Sequence, residues 1–172
     1  SSIIAETVPS FAQHYAVAIP SLARAGTTPQ SLRTEQYRDE LAERIQRNHE
    51  NSDYGFSLGT TDQWLPVLTA YPEYRNALKP LLNSHAVSPW STYATIDHRI
   101  VSGETLVRNL LYGDLYARTW LDSPQKMYWG WGMPALSPQL PQLLEDAGYE
   151  GGIHNLPYNG LPALYQQLGR NG

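Results

Sequence analysis

The sequence predicts an α/β protein with a parallel sheet, and three observations lead to that fold class. Five short apolar runs recur along the chain, each bounded by Gly, Pro, Asn or Ser in the manner of strands. Helical stretches separate these runs, and such alternation is typical of βαβ units with right-handed crossovers. At 172 residues the chain suits one domain, but a closed eight-stranded barrel takes about 250. We therefore expect an incomplete sheet whose open edge is covered by a protein partner or a further chain segment.

The predicted strands share apolar or aromatic centres and turn-forming ends. Each is short enough that a helix can connect it to the next strand in parallel. They are HYAVAIP (14–20), DYGFSL (53–58), HAVSPW (85–90), KMYWGWG (126–132) and EGGIHN (150–155). We expect them to form one domain over residues 14–172, preceded by a loose N-terminal arm over residues 1–13.

The first predicted helix follows residue 33. Thr34 is a residue type that caps helices, and Glu35 would lie in the first turn, where the helix dipole favours an acid. Tyr37, Leu41 and Ile45 recur at a spacing of four and form one apolar stripe. The pattern predicts an amphipathic surface helix.

The segment TTDQWLPVLTAYPEYRNALKPLLNS (60–84) predicts two shorter helices rather than one. Pro72 suits a first helical turn and disfavours helical backbone at the residue before it. The break is therefore expected next to Pro72.

A long helix is predicted to open at Ser102 or Gly103, and a later one to close at Asp146 and Gly148. The long helix carries five apolar residues at helical spacings, namely Leu106, Val107, Leu110, Leu111 and Leu115.

Composition excludes several classes of function. A net charge of -4 and a pI near 5.7 argue against a nucleic-acid surface, which requires clustered Lys and Arg. No apolar run approaches the roughly 20 residues of a membrane-spanning helix. There is no cysteine, and the histidines show no metal-binding spacing. The start at Ser1 fits either a processed mature end, as in a secreted or periplasmic protein, or a shortened chain, and the location stays open.

Three segments resemble the N-terminal catalytic domain of the glycoside hydrolase family 38 α-mannosidases. The most specific parts are the SGE-x-L-x-R-x-L-L-x-G run at 102–113 and the Q-L-P-Q-L-L run at 139–144. Together the similar segments span most of residues 34–152. The resemblance implies the N-terminal part of a distorted seven-stranded (β/α) barrel, so we expect an incomplete barrel segment.

The resemblance also implies a chemistry. Members of the family use zinc to hold two sugar hydroxyls, an aspartate nucleophile and a second carboxylate as acid and base. Retaining hydrolysis places its two carboxylates about 5 Å apart across the scissile bond.

Compared with the family motifs, several catalytic positions are changed. Ser21 and Ala25 stand where the H-x-H-W-D motif would supply zinc ligands, and a hydroxyl and a methyl do not replace imidazole and carboxylate. Counting back from Leu140, Trp129 matches the tryptophan of the W-x-x-D-x-F-G motif, and Gly132 stands at its nucleophile. The sequence therefore predicts no catalytic residue, no metal site and no cofactor.

Ligand-binding residues are expected where predicted strands end, because the C-terminal ends of parallel strands hold the active sites of barrels. Aromatic rings stack on sugar CH faces, while carboxylate and amide groups bind hydroxyls. Asp97 occupies the aspartate position of the family's P-D-E element. The predicted ligand-binding residues are Trp90, Tyr93, Asp97, His98, Trp129, Trp131 and Asn155.

Three functions follow as hypotheses. The first is a catalytically decayed α-mannosidase-like domain that acts as a glycan-binding or assembly subunit, and it favours a protein that is not an enzyme. The second is the N-terminal portion of an active zinc-dependent α-mannosidase completed by another segment. The third is a purely structural subunit of a larger complex.

Overall fold

A computed structural model describes residues 30–125, 127–130 and 137–154 of the chain. Helices and strands alternate along this part of the protein, as the sequence predicts. In chain order they are α1 (Gln30–Glu50), β1 (Phe56–Gly59), α2 (Thr61–Ala70), α3 (Glu73–Asn83), β2 (Val87–Pro89), α4 (Gly103–Leu121), β3 (Met127–Gly130), α5 (Leu140–Asp146) and β4 (Gly151–His154). The predicted strand at 14–20 and the predicted arm at 1–13 lie outside the described residues, so the domain boundaries stay a prediction.

The described strands form two parallel pairs. β1 pairs with β2 from Phe56 opposite Val87, and its register shifts between Ser57 and Gly59. β3 pairs with β4, with Met127 opposite Gly151. Parallel pairing is thus confirmed, but the described residues form two separate two-stranded sheets rather than one sheet. A mixed α/β fold is established, and a barrel segment is not confirmed.

Helix α1 begins earlier than the sequence predicted. It starts at Gln30, so Thr34 lies inside the helix and does not cap it, and the predicted start was wrong. The preceding residues include Leu32 and Arg33, which are good helix formers, and they extend the helix by about one turn. The predicted stripe is confirmed: Leu41 and Ile45 are buried, and Tyr37 packs against them.

The helix pair after β1 divides where the sequence predicted. α2 ends at Ala70, and Tyr71 leaves helical geometry with φ -132° and ψ 77°. Pro72 then caps α3 with φ -60°. The steric restriction that a proline places on the preceding residue accounts for the break.

The ends of α4 and α5 also follow the prediction. The Ser102 hydroxyl caps α4 by accepting from the Thr105 backbone N–H at 3.2 Å. α5 ends at Asp146, and Gly148 follows with φ +79°, the left-handed conformation that glycine adopts without strain.

Two groups of buried apolar side chains hold the described residues together. The first core lies between α1, α2, α3 and the β1–β2 pair, and includes Leu41, Leu58, Trp64, Leu68, Leu78 and Val87. The second core lies between the first half of α4, β3 and α5, and consists of Leu106, Leu110, Tyr128 and Leu140 with partly buried neighbours. Helix α4 contributes to both, since Leu121 at its end belongs to the first core. No helix in these stretches is both long and apolar enough for a bilayer crossing.

Candidate functional site

Backbone hydrogen bonds join the first turn of α2, which follows β1, to the loop after β2. The Thr61 N–H donates to the Thr92 carbonyl at 3.2 Å, and the Asp62 N–H donates to the Tyr93 carbonyl at 2.9 Å. The Trp90 N–H donates to the Gly59 carbonyl at 2.9 Å. The C-terminal ends of the two strands are therefore held side by side, and we call the surface formed by residues 59–62 and 90–93 the ledge. Parallel α/β proteins bind ligands at this end of their strands.

Helix α4 fixes the loop that follows β2. The buried Asn109 side chain accepts from the Ala94 N–H and donates to the Ala94 carbonyl, both at 2.9 Å. Its backbone carbonyl also accepts from the Tyr93 N–H at 2.9 Å. Sequence reasoning missed this residue, although a polar residue beside Leu106 and Leu110 on the buried side of a helix was an available signal.

Asp97 is bound by an arginine two residues further on. The Arg99 Nη2 lies 2.6 Å from Asp97 Oδ2, and the Arg99 Nε lies 3.0 Å from Oδ1. The Arg99 backbone N–H also donates to Oδ1 at 3.0 Å. These side-chain and backbone hydrogen bonds lower the pKa of Asp97 to about 2. The carboxyl is therefore ionised and charge-compensated at neutral pH.

His98 connects the loop after β2 to the second core. Its Nδ1 accepts from the Ser137 backbone N–H at 3.2 Å, so the neutral ring carries its proton on Nε2. Nε2 lies 3.4 Å from the Tyr128 hydroxyl on β3. Burial lowers the pKa of His98, and the nearby Asp97 charge opposes that effect. Burial likewise raises the pKa of the Tyr128 phenol.

The predicted aromatic residues differ in accessibility. Trp90 is only 1% exposed, so its ring packs inside the protein, whereas Tyr93 is 36% exposed. Tyr93 packs against Tyr116, with ring centroids 5.7 Å apart. Trp129 on β3 is partly buried, and its indole N–H is buried without a hydrogen-bond partner.

The structure brings four of the predicted ligand-binding residues onto the loop after β2: Trp90, Tyr93, Asp97 and His98. Trp129 lies on β3, next to the Tyr128 that His98 contacts. The other predicted positions lie outside the described residues, namely Ser21, Ala25, Trp131, Gly132 and Asn155. A binding role for any of these residues stays a prediction.

The ledge carries an acid that sequence reasoning missed. Asp62 lies in the first turn of α2 and accepts from the Thr60 hydroxyl at 2.5 Å. The residue as a whole is exposed, but its carboxyl is partly desolvated, which raises its pKa. The Thr60 hydrogen bond and the charge of Arg33 act in the opposite direction. Nothing in the local sequence distinguishes Asp62 from an ordinary first-turn acid.

Buried hydroxyls surround the same ledge. The hydroxyl oxygens of Thr61, Ser91 and Thr92 are buried and have no hydrogen-bond partner. Such groups are costly unless water or a ligand satisfies them. Within the three described stretches, no cluster of three or more His, Asp or Glu residues is arranged to hold a metal ion.

The sequence matches the model of the glycosyl hydrolases family 38 N-terminal domain over residues 25–167. The chain belongs to glycosyl hydrolase family 38. A comparison with curated proteins finds no significant match.

Two solved structures have a fold similar to this family 38 chain. One is described as an alpha-mannosidase from Enterococcus faecalis V583; it is 23% identical, with a TM-score of 0.58 over 69% of this chain. The other is described as a protein in glycosyl hydrolase family 38 from Enterococcus faecalis; it is 23% identical, with a TM-score of 0.57 over 73% of this chain. The matched region spans only 14% and 15% of those two chains. At this identity the likeness concerns the fold.

The family 38 run at 102–113 has a structural explanation in this chain. Ser102 caps α4, and Leu106 and Leu110 enter the second core. A side chain at Gly113 would place its Cβ 2.4 Å from the Ser91 carbonyl oxygen, so only glycine lets the helix approach the ledge this closely. The run therefore positions α4 against the loop after β2.

Proposed function

We propose that this family 38 chain binds a glycan without cleaving it. The observation that supports the proposal is the double hydrogen bond between Asp97 and Arg99 in the loop after β2. A carboxyl with a pKa of about 2 is a poor general acid at neutral pH, because it holds no proton to donate. It remains a good acceptor for a sugar hydroxyl.

The residues at the family's zinc positions do not fit zinc. By resemblance these positions are Ser21 and Ala25, and neither supplies an imidazole or a carboxylate. Gly132, at the nucleophile position, has no side chain. The proposal therefore includes no zinc-dependent step and no glycosyl-enzyme.

Binding would use the ring of Tyr93 and the carboxylate of Asp97. The exposed Tyr93 ring offers a flat apolar face for the CH groups of a sugar. Asp97 accepts from sugar hydroxyls, directly or through an ordered water. A mannoside is the first ligand to test, because family 38 neighbours include an alpha-mannosidase.

Calorimetric titration with methyl α-mannoside and a mannose disaccharide tests the proposal. Tyr93→Ala should weaken binding about tenfold, because a stacked ring contributes on the order of 1 kcal/mol. Ile100→Ala is the matched control, since it removes a highly exposed apolar side chain from the same loop. Absence of binding, or equal weakening by both variants, would refute the proposal. So would turnover of an aryl α-mannoside by the purified chain with zinc.

The pKa of Asp97 can be tested separately by NMR titration of its carboxyl. The midpoint should lie at about pH 2 in the wild type. Arg99→Gln should move it up toward the ordinary value for aspartate, because the compensating charge and its hydrogen bonds are removed. A wild-type midpoint near pH 4 would show that the ion pair does not form in solution.

A second candidate is the N-terminal portion of a working α-mannosidase that another polypeptide segment completes. The short coverage of the two similar chains, 14% and 15%, favours it. It predicts that a longer form, or this chain with its completing segment, binds zinc and releases mannose from an aryl α-mannoside. A completed protein that binds sugar but never turns it over would favour the first proposal.

A further inference from the structure

His98 is the side chain that joins the loop after β2 to the start of α5. Its Nδ1 accepts from the Ser137 backbone N–H at 3.2 Å. Ser137 in turn organises the first turn of α5. Its carbonyl accepts from the Leu140 N–H at 3.0 Å, and its hydroxyl accepts from the Gln139 N–H at 3.3 Å. One imidazole nitrogen is therefore bound to the residue on which this turn is built.

The contact between His98 and Ser137 exists only while the ring is neutral. A neutral imidazole has one acceptor nitrogen, whereas both nitrogens of an imidazolium carry a proton. With a proton on Nδ1, two N–H groups would face each other, and repulsion would replace the hydrogen bond. The contact of Nε2 with the Tyr128 hydroxyl at 3.4 Å survives, because a phenol oxygen accepts from Nε2–H in both forms. Protonation therefore acts on the α5 side of the ring and not on the β3 side.

The charged and titratable groups around His98 come from its own loop and from β3. Asp97 and Arg99 are its neighbours in the chain, and they form an ion pair at 2.6 Å. Tyr128 faces the ring from β3, and its phenol stays neutral in acid because burial raises its pKa. On the α5 side the ring meets the Ser137 backbone, which does not titrate. The Asp97 carboxylate favours an imidazolium, but it is already compensated by Arg99.

We propose that His98 is an acid-sensitive latch, whose neutral ring holds the first turn of α5 against the loop after β2 and whose protonation releases that turn. Burial keeps the ring neutral at neutral pH, because it lowers the pKa of His98 below the ordinary value of 6.5. Release is therefore expected below pH 6.5. Leu140, the first residue of α5, belongs to the second core, so release loosens one side of that core. This inference is independent of the proposed glycan binding.

The test is hydrogen exchange of the Ser137 amide in the full chain, followed by NMR on both sides of pH 6.5. Exchange is expressed as a protection factor, which removes the intrinsic effect of pH on the exchange rate. The wild-type protection factor should fall about five- to tenfold on acidification, the loss expected when one hydrogen bond opens. The Gln139 and Leu140 amides should follow it, whereas amides inside β1 should not.

Two variants of His98 set the limits between which the wild type should move. In His98→Asn the amide oxygen accepts from the Ser137 N–H at every pH, so protection should stay high and constant. In His98→Ala no acceptor remains, so protection should stay low and constant. The wild type should resemble the first variant above pH 6.5 and the second well below it. His85→Asn is the matched control, because it replaces an exposed histidine before β2 and should behave like the wild type.

The ring nitrogens of His98 report the same event without a substitution. At neutral pH the NMR signal of Nδ1 should be that of an unprotonated nitrogen, because Nδ1 accepts from Ser137. On acidification it should move to the position of a protonated nitrogen, with the same midpoint as the exchange of the Ser137 amide. A common midpoint would link proton uptake by the ring to the opening of the turn.

Three results would overturn the inference. They are a Ser137 protection factor that is the same on both sides of pH 6.5, an equal pH dependence in His98→Asn, and a proton on Nδ1 at neutral pH. Circular dichroism of each variant checks that it is folded. If either His98 variant is not, the ring-nitrogen and amide titrations of the wild type decide.

Discussion

The two cores of this chain differ in how completely their secondary structure covers them. Around the first core, α1, α2 and α3 enclose the β1–β2 pair, and all four residues of β1 are buried. Around the second core, β3 alternates in burial, with Met127 exposed. On helix α4, the apolar side chains of Val107, Leu111 and Leu115 are also exposed. The described helices therefore enclose the first core, whereas exposed apolar side chains border the second core on one side.

The largest expected effect tests this difference in strands of the two cores. Leu58 on β1 is fully buried, whereas Met127 on β3 is 38% exposed. Leu58→Ala should lower the free energy of unfolding by about 2–5 kcal/mol, because it leaves a cavity in a packed interior. Met127→Ala should change it by about 0.5 kcal/mol or less. Urea denaturation measures both, and equal costs would mean that Met127 is buried as Leu58 is.

The sequence predicted the first region better than the second, for a physical reason. Around the first core, burial follows the helical stripe of Leu41 and Ile45, and Pro72 divides the helices through local steric restriction. In α4 the apolar residues cover more than one side, so periodicity alone could not separate buried Leu110 from exposed Leu111. Which of these two leucines is buried depends on where β3 and α5 pack, and that is a property of the tertiary structure.

The candidate site also contains some features that the sequence could predict and others that it could not. Asp97 and His98 were chosen from the family resemblance and lie in the loop after β2, and their binding role stays a prediction. The Asn109 contacts with Ala94 join residues 15 positions apart, so no local pattern reveals them. The Thr60 hydrogen bond to Asp62 is local, but a first-turn acid alone does not predict it. Helix capping by Ser102, by contrast, is a local interaction, and the sequence predicted it.

A substitution at Gly113 tests how closely α4 packs against the loop after β2. Gly113→Ala would place a Cβ against the Ser91 carbonyl oxygen and should destabilise the protein by about 1–3 kcal/mol. Helix propensity alone predicts the opposite sign. Gly103→Ala is the matched control in the same helix, because nothing lies within 4 Å of its added Cβ. Thermal denaturation of both variants would show whether close packing or propensity dominates at residue 113.

A smaller effect is expected where α4 holds the loop after β2. Asn109→Ala removes both hydrogen bonds to Ala94 and should cost about 1–2 kcal/mol. Hydrogen exchange of the Ala94 amide should accelerate, while amides inside β1 should keep their protection. Asn76→Ala, at an exposed position of α3, is the control. Unchanged exchange at Ala94 would contradict the assigned role of Asn109.

The smallest expected effect concerns His98, which joins the loop after β2 to β3. Burial lowers the pKa of His98 below its ordinary value of 6.5, so the unfolded chain binds a proton more readily than the folded chain. The neutral ring therefore contributes stability that is fully present above pH 6.5 and is lost as the pH falls through the folded-state pKa.

His98→Asn tests this, because the amide oxygen can still accept from the Ser137 N–H but does not titrate. The difference in melting temperature between wild type and variant should shrink or reverse on acidification below pH 6.5, and should be constant above it. The subtraction removes every pH-dependent contribution that both proteins share. If the difference were independent of pH, His98 would not be desolvated, and the loop after β2 would not be closed against β3.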